Sequence, residues 1–291
     1  MRHRPTPSAA TRLAGAALLA LGLARPAAAP LLAQAAAPGA APGVAPGGGT
    51  FDHGAFDALL RAHVRGGLVD YDAFERSPEF KGYLATLAAA DPATLPRDEQ
   101  LAFWIDAYNA YTIQLINAHH EHDSIRNINK TFGLKLYGPW KEKLARVGGH
   151  AYGLDEIEQD IIRPRYHEPR IHFALVCAAM GCPPLRSEAY TGAKIDAQLD
   201  DQARTFLLHS PAKNRVDVAT RTVYLSPIFI GFRDYHKDFG GSDAAIGRFI
   251  ARYYPAGPEK QLLESGDFKT VKTAYSWTLN SQANGGGVAT R

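Results

Sequence analysis

Apolar residues recur at helical spacing in Phe56, Leu59, Leu60 and Val64, which predicts a helix over 51–65. Gly66 and Gly67 end it, and Leu68–Tyr71 reads as a short extended piece. Ser77 before Pro78 has the pattern of an N-cap with proline in the first turn, opening a helix through Leu87. The strongest pattern follows Pro96-Arg97-Asp98-Glu99. Over 98–118, Trp104, Leu115, Tyr108, Leu101, Thr112, Ile105 and Ile116 cover one arc of roughly 120° at about 100° per residue. Gly133–Gly149 reads as loop or short hairpin, and Leu154–Ile162 as a short helix stopped by Pro164. Arg170–Cys177, nearly all apolar and following Pro169, predicts a buried strand, and Cys182-Pro183-Pro184 breaks it. Ile195, Leu199, Ala203 and Phe206 share one face of a helix over 192–208. Arg215–Leu225 alternates about Ala219-Thr220 as a hairpin, Asp243–Tyr254 is helical, and Lys269–Leu279 is a terminal strand. Helices come first and strands mix in later, without an internal repeat or linker. That order favours an α+β fold: a single globular domain over 51–291, its helix-rich N-terminal half packed on a small mixed or antiparallel sheet.

The first fifty residues break this pattern. They hold 17 Ala, 7 Gly, 7 Pro and four arginines, and no acidic group. Residues 13–24 form an apolar run of 12, preceded by Arg2, Arg4 and Arg12, with small-residue Ala-x-Ala sites at 27–29 and 33–35. This is the pattern of a secretory signal, so 1–35 is read as a signal peptide and 36–50 as a disordered Ala/Pro/Gly spacer. The run is shorter than the ~20 residues of a spanning helix, so no integral membrane segment is expected in the mature chain. Periplasmic or secreted delivery follows. The charge picture changes too. The whole chain carries a formal +3, but residues 51–291 hold 28 basic against 29 acidic groups. The domain itself lacks the clustered basic footprint that nucleic-acid binding needs.

Export bears on the only two cysteines, Cys177 and Cys182. In an oxidising compartment they are a candidate disulfide. Alternatively Cys182, with Pro184 as a first helical residue, faces a helix N-terminus, where the dipole favours a thiolate. A thiolate with a histidine base is the arrangement of cysteine acyl transfer. His172 and, on another loop, His236 are the base candidates. On a strand, however, His172 would point away from Cys177. Gly181 would allow a substrate backbone to approach closely. Asn109 stands inside the apolar arc of 98–118, where an amide must be hydrogen-bonded. It holds either a backbone segment or a catalytic side chain. Asp106 lies at the edge of that arc, as its partner or as a solvated carboxylate. His119-His120-Glu121-His122 resembles a metal cluster in composition only and complements a helix C-terminus. Walker A, GxGxxG, GxSxG and HExxH patterns are lacking, so no cofactor and no metal is expected.

Taken together, Phe103-Trp104-Ile105-Asp106-Ala107-Tyr108-Asn109-Ala110, Ser124-Ile125-Arg126, Arg170-Ile171-His172-Phe173-Ala174-Leu175-Val176-Cys177 and Gly181-Cys182-Pro183-Pro184-Leu185 resemble the bacterial and plant domain of unknown function 547 family, over roughly 55–255. The Asp106 position is more often Asn in that family, and residues 231–239 depart from its usual Trp-Tyr pair before Asp-Phe. The resemblance implies no established activity. Two readings stand. One is an exported cysteine-dependent hydrolase or acyl transferase of a small molecule or peptide, with Cys182 as nucleophile, His172 as base and Asn109 as orienting or oxyanion group. The other is a non-catalytic periplasmic binding or structural module in which Cys177, Cys182, His172 and Asn109 brace the core.

Overall fold

The longest helix sets the architecture. A computed structural model describes residues 49–131, 134–135 and 138–285; the expected signal peptide and most of the spacer lie outside them. Helices α1 (Gly54–His63), α2 (Tyr71–Arg76) and α3 (Pro78–Ala89) lead to α4 (Arg97–Ala118). From Leu101 to Asn117 nearly every residue of α4 is buried, so it is a central helix enclosed on all sides, not an amphipathic one. The apolar arc marked its most hydrophobic side only. Ser77 caps α3 by accepting from the Phe80 amide at 3.0 Å, with Pro78 in the first turn, as the sequence predicts. Strands β1 (Val64–Arg65) and β2 (Leu68–Val69) pair across Gly66-Gly67. Gly67 has φ +83°, and a Cβ there would stand 2.3 Å from the Pro184 Cβ, so the turn locks against the second cysteine's segment.

Two further hairpins follow, β3 (Lys130–Thr131) with β4 (Leu134–Lys135) and β5 (Ala145–Val147) with β6 (His150–Tyr152). Helix α5 (Leu154–Glu156) then widens into a π-helical turn, Ile157–Ile162, and tightens again as α6 (Arg163–Tyr166). Pro164 therefore does not stop the helix. A proline cannot donate to the preceding turn and crowds it, and the wide turn just before it is one way a helix accommodates that.

The predicted strand at 170–177 is not one. Ile171–Ala174 form a single helical turn, α7, closed by the Leu175 amide on the Ile171 carbonyl at 2.9 Å, and the chain then extends. A short run buried on every side carries no periodicity that separates strand from helix. Nor does a helix begin at Pro184; 183–186 run without regular structure. Helix α8 (Ile195–Leu208) buries Ile195, Leu199, Ala203 and Phe206 as predicted. Strands β7 (Arg215–Asp217) and β8 (Thr222–Leu225) form the expected antiparallel hairpin. Helices α9 (Pro227–Ile230), α10 (Asp243–Ala251) and α11 (Pro258–Ser265) precede β9 (Lys269–Lys272), which adds to β8 in parallel, and α12 (Gln282–Gly285) closes the described chain.

The fold is thus α+β, one domain with sheets of two or three strands, none dominant. Its core has two parts. One surrounds α4; the other lies between α8, the three-stranded mixed sheet and α10. Residues 171–176 are the seam: Phe173 belongs to the second part, while Ile171 and Ala174–Val176 belong to the first. Among the described residues no helix is long and apolar enough to cross a membrane.

Candidate functional site

The seam is held by a side chain. Asn109, 3% exposed, donates from Nδ2 to the Ala174 carbonyl and accepts the Val176 amide on Oδ1, both at 3.0 Å. One amide thereby takes the place of a neighbouring strand, satisfying the chain where α7 unwinds. Of the two roles open to Asn109 from sequence, the structure places it on backbone. Asp106, 1% exposed, is neither its partner nor solvated. It lies 2.9 Å from His53 Nδ1 and accepts the Tyr190 amide at 3.2 Å, and its burial raises its pKa against the opposing pull of His53.

Immediately before the seam, His172 is buried with its ring 4.1 Å from that of Tyr235. Its Nε2 is 2.6 Å from Asp238 Oδ2, while its Nδ1 is 3.9 Å from Glu158 Oε1, beyond hydrogen-bond length. Arg163 grips the same Asp238 through two nitrogens, at 2.7 and 2.9 Å, and also reaches Asp234 at 3.0 Å. Burial alone would raise the Asp238 carboxyl. The hydrogen bonds from His172 and Arg163 outweigh it and hold that group well below the ordinary carboxylate range. Glu158, in the π-helical turn, goes the other way: burial pushes its pKa up, opposed by His172 and by the hydroxyl that Tyr235 donates to it.

Immediately after the seam, Cys177 and Cys182 are joined, with S–S 2.12 Å and Cα–Cα 6.3 Å. No free thiol exists in this state. The Cys177 amide donates to Cys182 Sγ at 3.2 Å, and the Tyr275 hydroxyl lies 3.0 Å from Cys182 Sγ and 3.1 Å from Cys177 Sγ. The loop between the cysteines is tied to the C-terminal segment, Met180 N to the Thr278 carbonyl and Gly181 N to the Ser276 carbonyl, each at 2.8 Å. Gly181 lies against the Tyr275 ring, which a Cβ would meet at 2.7 Å. The close approach expected at Gly181 is thus made by the protein's own tyrosine.

Helical winding at 171–174 removes the opposition that a strand would impose between His172 and Cys177. His172, Cys177 and Cys182 line one cavity of about 240 Å³, together with Glu158, Tyr235 and an aromatic wall that includes Trp140, Phe232, Tyr275 and Trp277. Asn109 and His236 are not among its lining residues. Asp238 was missed in sequence, although it stands in the Asp-Phe pair of 231–239, the segment where the chain departs from the family pattern. Glu158, Tyr275 and Trp277 carried no signal, because nothing in their local sequence places them beside the cysteines. The histidines at the end of α4 disperse: His119 pairs with Glu142 at 2.9 Å, and His120 with Glu75 at 3.3 Å. Among the described residues no group of three or more His, Cys, Asp or Glu is arranged to hold a metal ion.

The site is therefore a bridged cysteine pair and a carboxylate-held imidazole lining one aromatic-walled cavity. Residues 92–207 match the model of a family described as "Protein of unknown function, DUF547", in agreement with the resemblance carried by the sequence motifs. The matched span contains α4, His172 and both cysteines; Tyr235, Asp238, Tyr275 and Trp277 lie beyond it. No curated protein and no solved structure matches the chain.

Proposed function

We propose that this chain is a thiol-dependent hydrolase or acyl transferase whose disulfide-bonded form is the resting state. Cys182 is the nucleophile, His172 the base, and Asp238 the carboxylate that orients the base. The observation that carries the reading is that the Cys182 sulfur and His172 line the same cavity while Asp238 holds Nε2 at 2.6 Å. Asp238 thereby fixes the tautomer and leaves Nδ1 as the nitrogen to take a proton. Asn109 keeps the spacing between base and nucleophile and is a positioning residue.

Opening the bridge requires an external thiol or dithiol. Attack on the less buried Cys177 sulfur forms a mixed disulfide and expels Cys182 as a thiolate. The Cys177 amide and the Tyr275 hydroxyl are both in place to stabilise that leaving sulfur. The second thiol of the reductant then releases Cys177. In the acyl-transfer step the thiolate adds to a carbonyl carbon, and an S–C bond replaces the bond to the leaving oxygen or nitrogen. His172 Nδ1, having taken the proton of the Cys182 thiol, passes it to the leaving atom, and water then hydrolyses the thioester. Export on the signal peptide of residues 1–35, also proposed, would keep the bridge closed until a reductant acts.

The test is mild reduction followed by p-nitrophenyl acetate, with intact mass and peptide mapping. Acetyl adds to Cys182 in the wild type and is lost in His172→Ala. Absence of acyl-enzyme from fully reduced, folded protein rejects the reading. The closed bridge and the burial of Cys182 favour the second reading, a non-catalytic module braced by the same residues. It predicts that Cys182→Ser and His172→Ala lower the melting temperature without changing any function beyond that loss.

A further inference from the structure

The walls of the cavity are more specific than the acyl-transfer step requires. Trp140, Phe232, Tyr275 and Trp277 are half-buried and pack against one another, with Trp277 tilted against Tyr275 at 4.7 Å and edge to face with Trp140 at 5.9 Å between ring centroids. Opposite kinds of polar group share the same space. Glu158 and Asp155 are three residues apart, where a helix brings side chains onto one face. Asp155 is neutralised by Arg233, whose Nη2 lies 2.8 and 2.7 Å from its two oxygens. Glu158 is buried beneath the Tyr235 hydroxyl.

Each candidate ligand class meets this lining differently. A cation gains little, because Arg233 stands in the cavity and cancels the Asp155 charge. A purely aromatic ligand would stack on the rings and strip water from Glu158, Asp155, Arg233 and Tyr235 without replacing its hydrogen bonds, which is costly. A pyranose ring has one C–H face to lay on an aromatic wall and an edge of hydroxyls, each both donor and acceptor, to meet carboxyl, guanidinium and phenol. The cavity of about 240 Å³ is smaller than the ~300–1,000 Å³ of drug-sized pockets, which suits a single ring.

We propose that the cavity binds a hexopyranose, stacked on the Trp140–Trp277 wall with its hydroxyl edge on Glu158 and the Asp155–Arg233 pair. The substrate of the thiol reaction is then an acyl ester or amide carried on such a sugar. This rests on the reading that the cavity is the functional site, but the binding itself does not require a free thiol.

The experiment uses the disulfide-bonded protein and its tryptophan fluorescence, since two of the three tryptophans line the cavity and Trp104 is buried within α4. Methyl glucopyranosides, galactopyranosides and N-acetylglucosaminides are titrated up to about 50 mM, a range suited to a millimolar monosaccharide site. At least one is expected to give saturable quenching, weakened tenfold or more by Trp277→Ala and at least threefold by Glu158→Gln, with circular dichroism confirming the fold of each variant. Three results would overturn the proposal: no saturable change with any pyranoside, binding indifferent to both substitutions, or saturation by indole or phenol alone. Failure of acylation at Cys182 with sugar binding intact removes the thiol chemistry and leaves this inference standing. Acylation without sugar binding does the reverse.

Discussion

Replacing Asn109 with alanine removes two buried hydrogen bonds at once. The Ala174 carbonyl and the Val176 amide each lose a partner at 3.0 Å, and neither has a strand beside it to supply another. An unsatisfied buried polar group costs about 1–3 kcal/mol, so the two together predict a loss of about 2–6 kcal/mol. For a domain of this size about 1 kcal/mol moves the melting temperature by ~2–4 °C, so the midpoint is expected to fall by roughly 4–24 °C. Urea unfolding followed by circular dichroism gives the free energy directly, and an unchanged m-value shows that the folded state stays compact. Asn109→Asp sharpens the result. A carboxylate keeps the bond from the Val176 amide but turns an oxygen toward the Ala174 carbonyl, so above its pKa it should be no better than alanine. A loss below about 0.5 kcal/mol for Asn109→Ala, the usual range for an inconsequential surface change, would refute the view that this amide holds the seam between His172 and Cys177.

Gly181→Ala places a methyl 2.7 Å from the Tyr275 ring; the ring must shift away from both sulfurs, at about 1–3 kcal/mol, and Cys182 in the reduced variant should lose reactivity toward iodoacetamide because a thiolate donor has left. Asp238, depressed in the folded state, contributes stability that is present above the unfolded value near pH ~3.9 and is lost as pH falls through its lower folded value. Asp238→Asn should therefore flatten the acid limb of the stability curve, which pH-dependent thermal melts will show. Glu158 has the opposite sign: its raised folded value makes its contribution greatest below about pH 4.3 and lost as pH rises through the folded value, so Glu158→Gln should gain relative to wild type as pH rises above about 4.3.

Legibility followed the length over which a pattern persists. Helix α4 was readable because Pro96, Asp98, Glu99 and about twenty residues of spacing agree, and Ser77-Pro78 fixed the start of α3 through local capping chemistry alone. The seam was misread because Ile171–Val176 is buried on both sides, and only the distant Asn109 decides that its backbone winds once and then extends. That Asn109 must hold something followed from an amide on an apolar face; that it holds Ala174 and Val176 did not, since the contact spans about 65 residues of chain. The cavity is hidden for the same reason. Its histidine, His172, and cysteines lie close in sequence, but Glu158, Asp238, Tyr275 and Trp277 reach it through tertiary packing, and Asp106 found a buried partner in His53, more than fifty residues earlier.

The central claim is that Cys182, once released from Cys177, is a thiolate served by the His172–Asp238 pair. The most direct measurement is the pH dependence of iodoacetamide alkylation at each cysteine of the reduced, folded protein, resolved by peptide mapping, in wild type and in Asp238→Asn. The account predicts that Cys182 reacts faster than Cys177 and titrates well below the ordinary thiol value of about 8.5, and that Asp238→Asn moves this profile back toward that value. Equal rates at the two cysteines, with an unshifted profile that Asp238→Asn leaves unchanged, would contradict it.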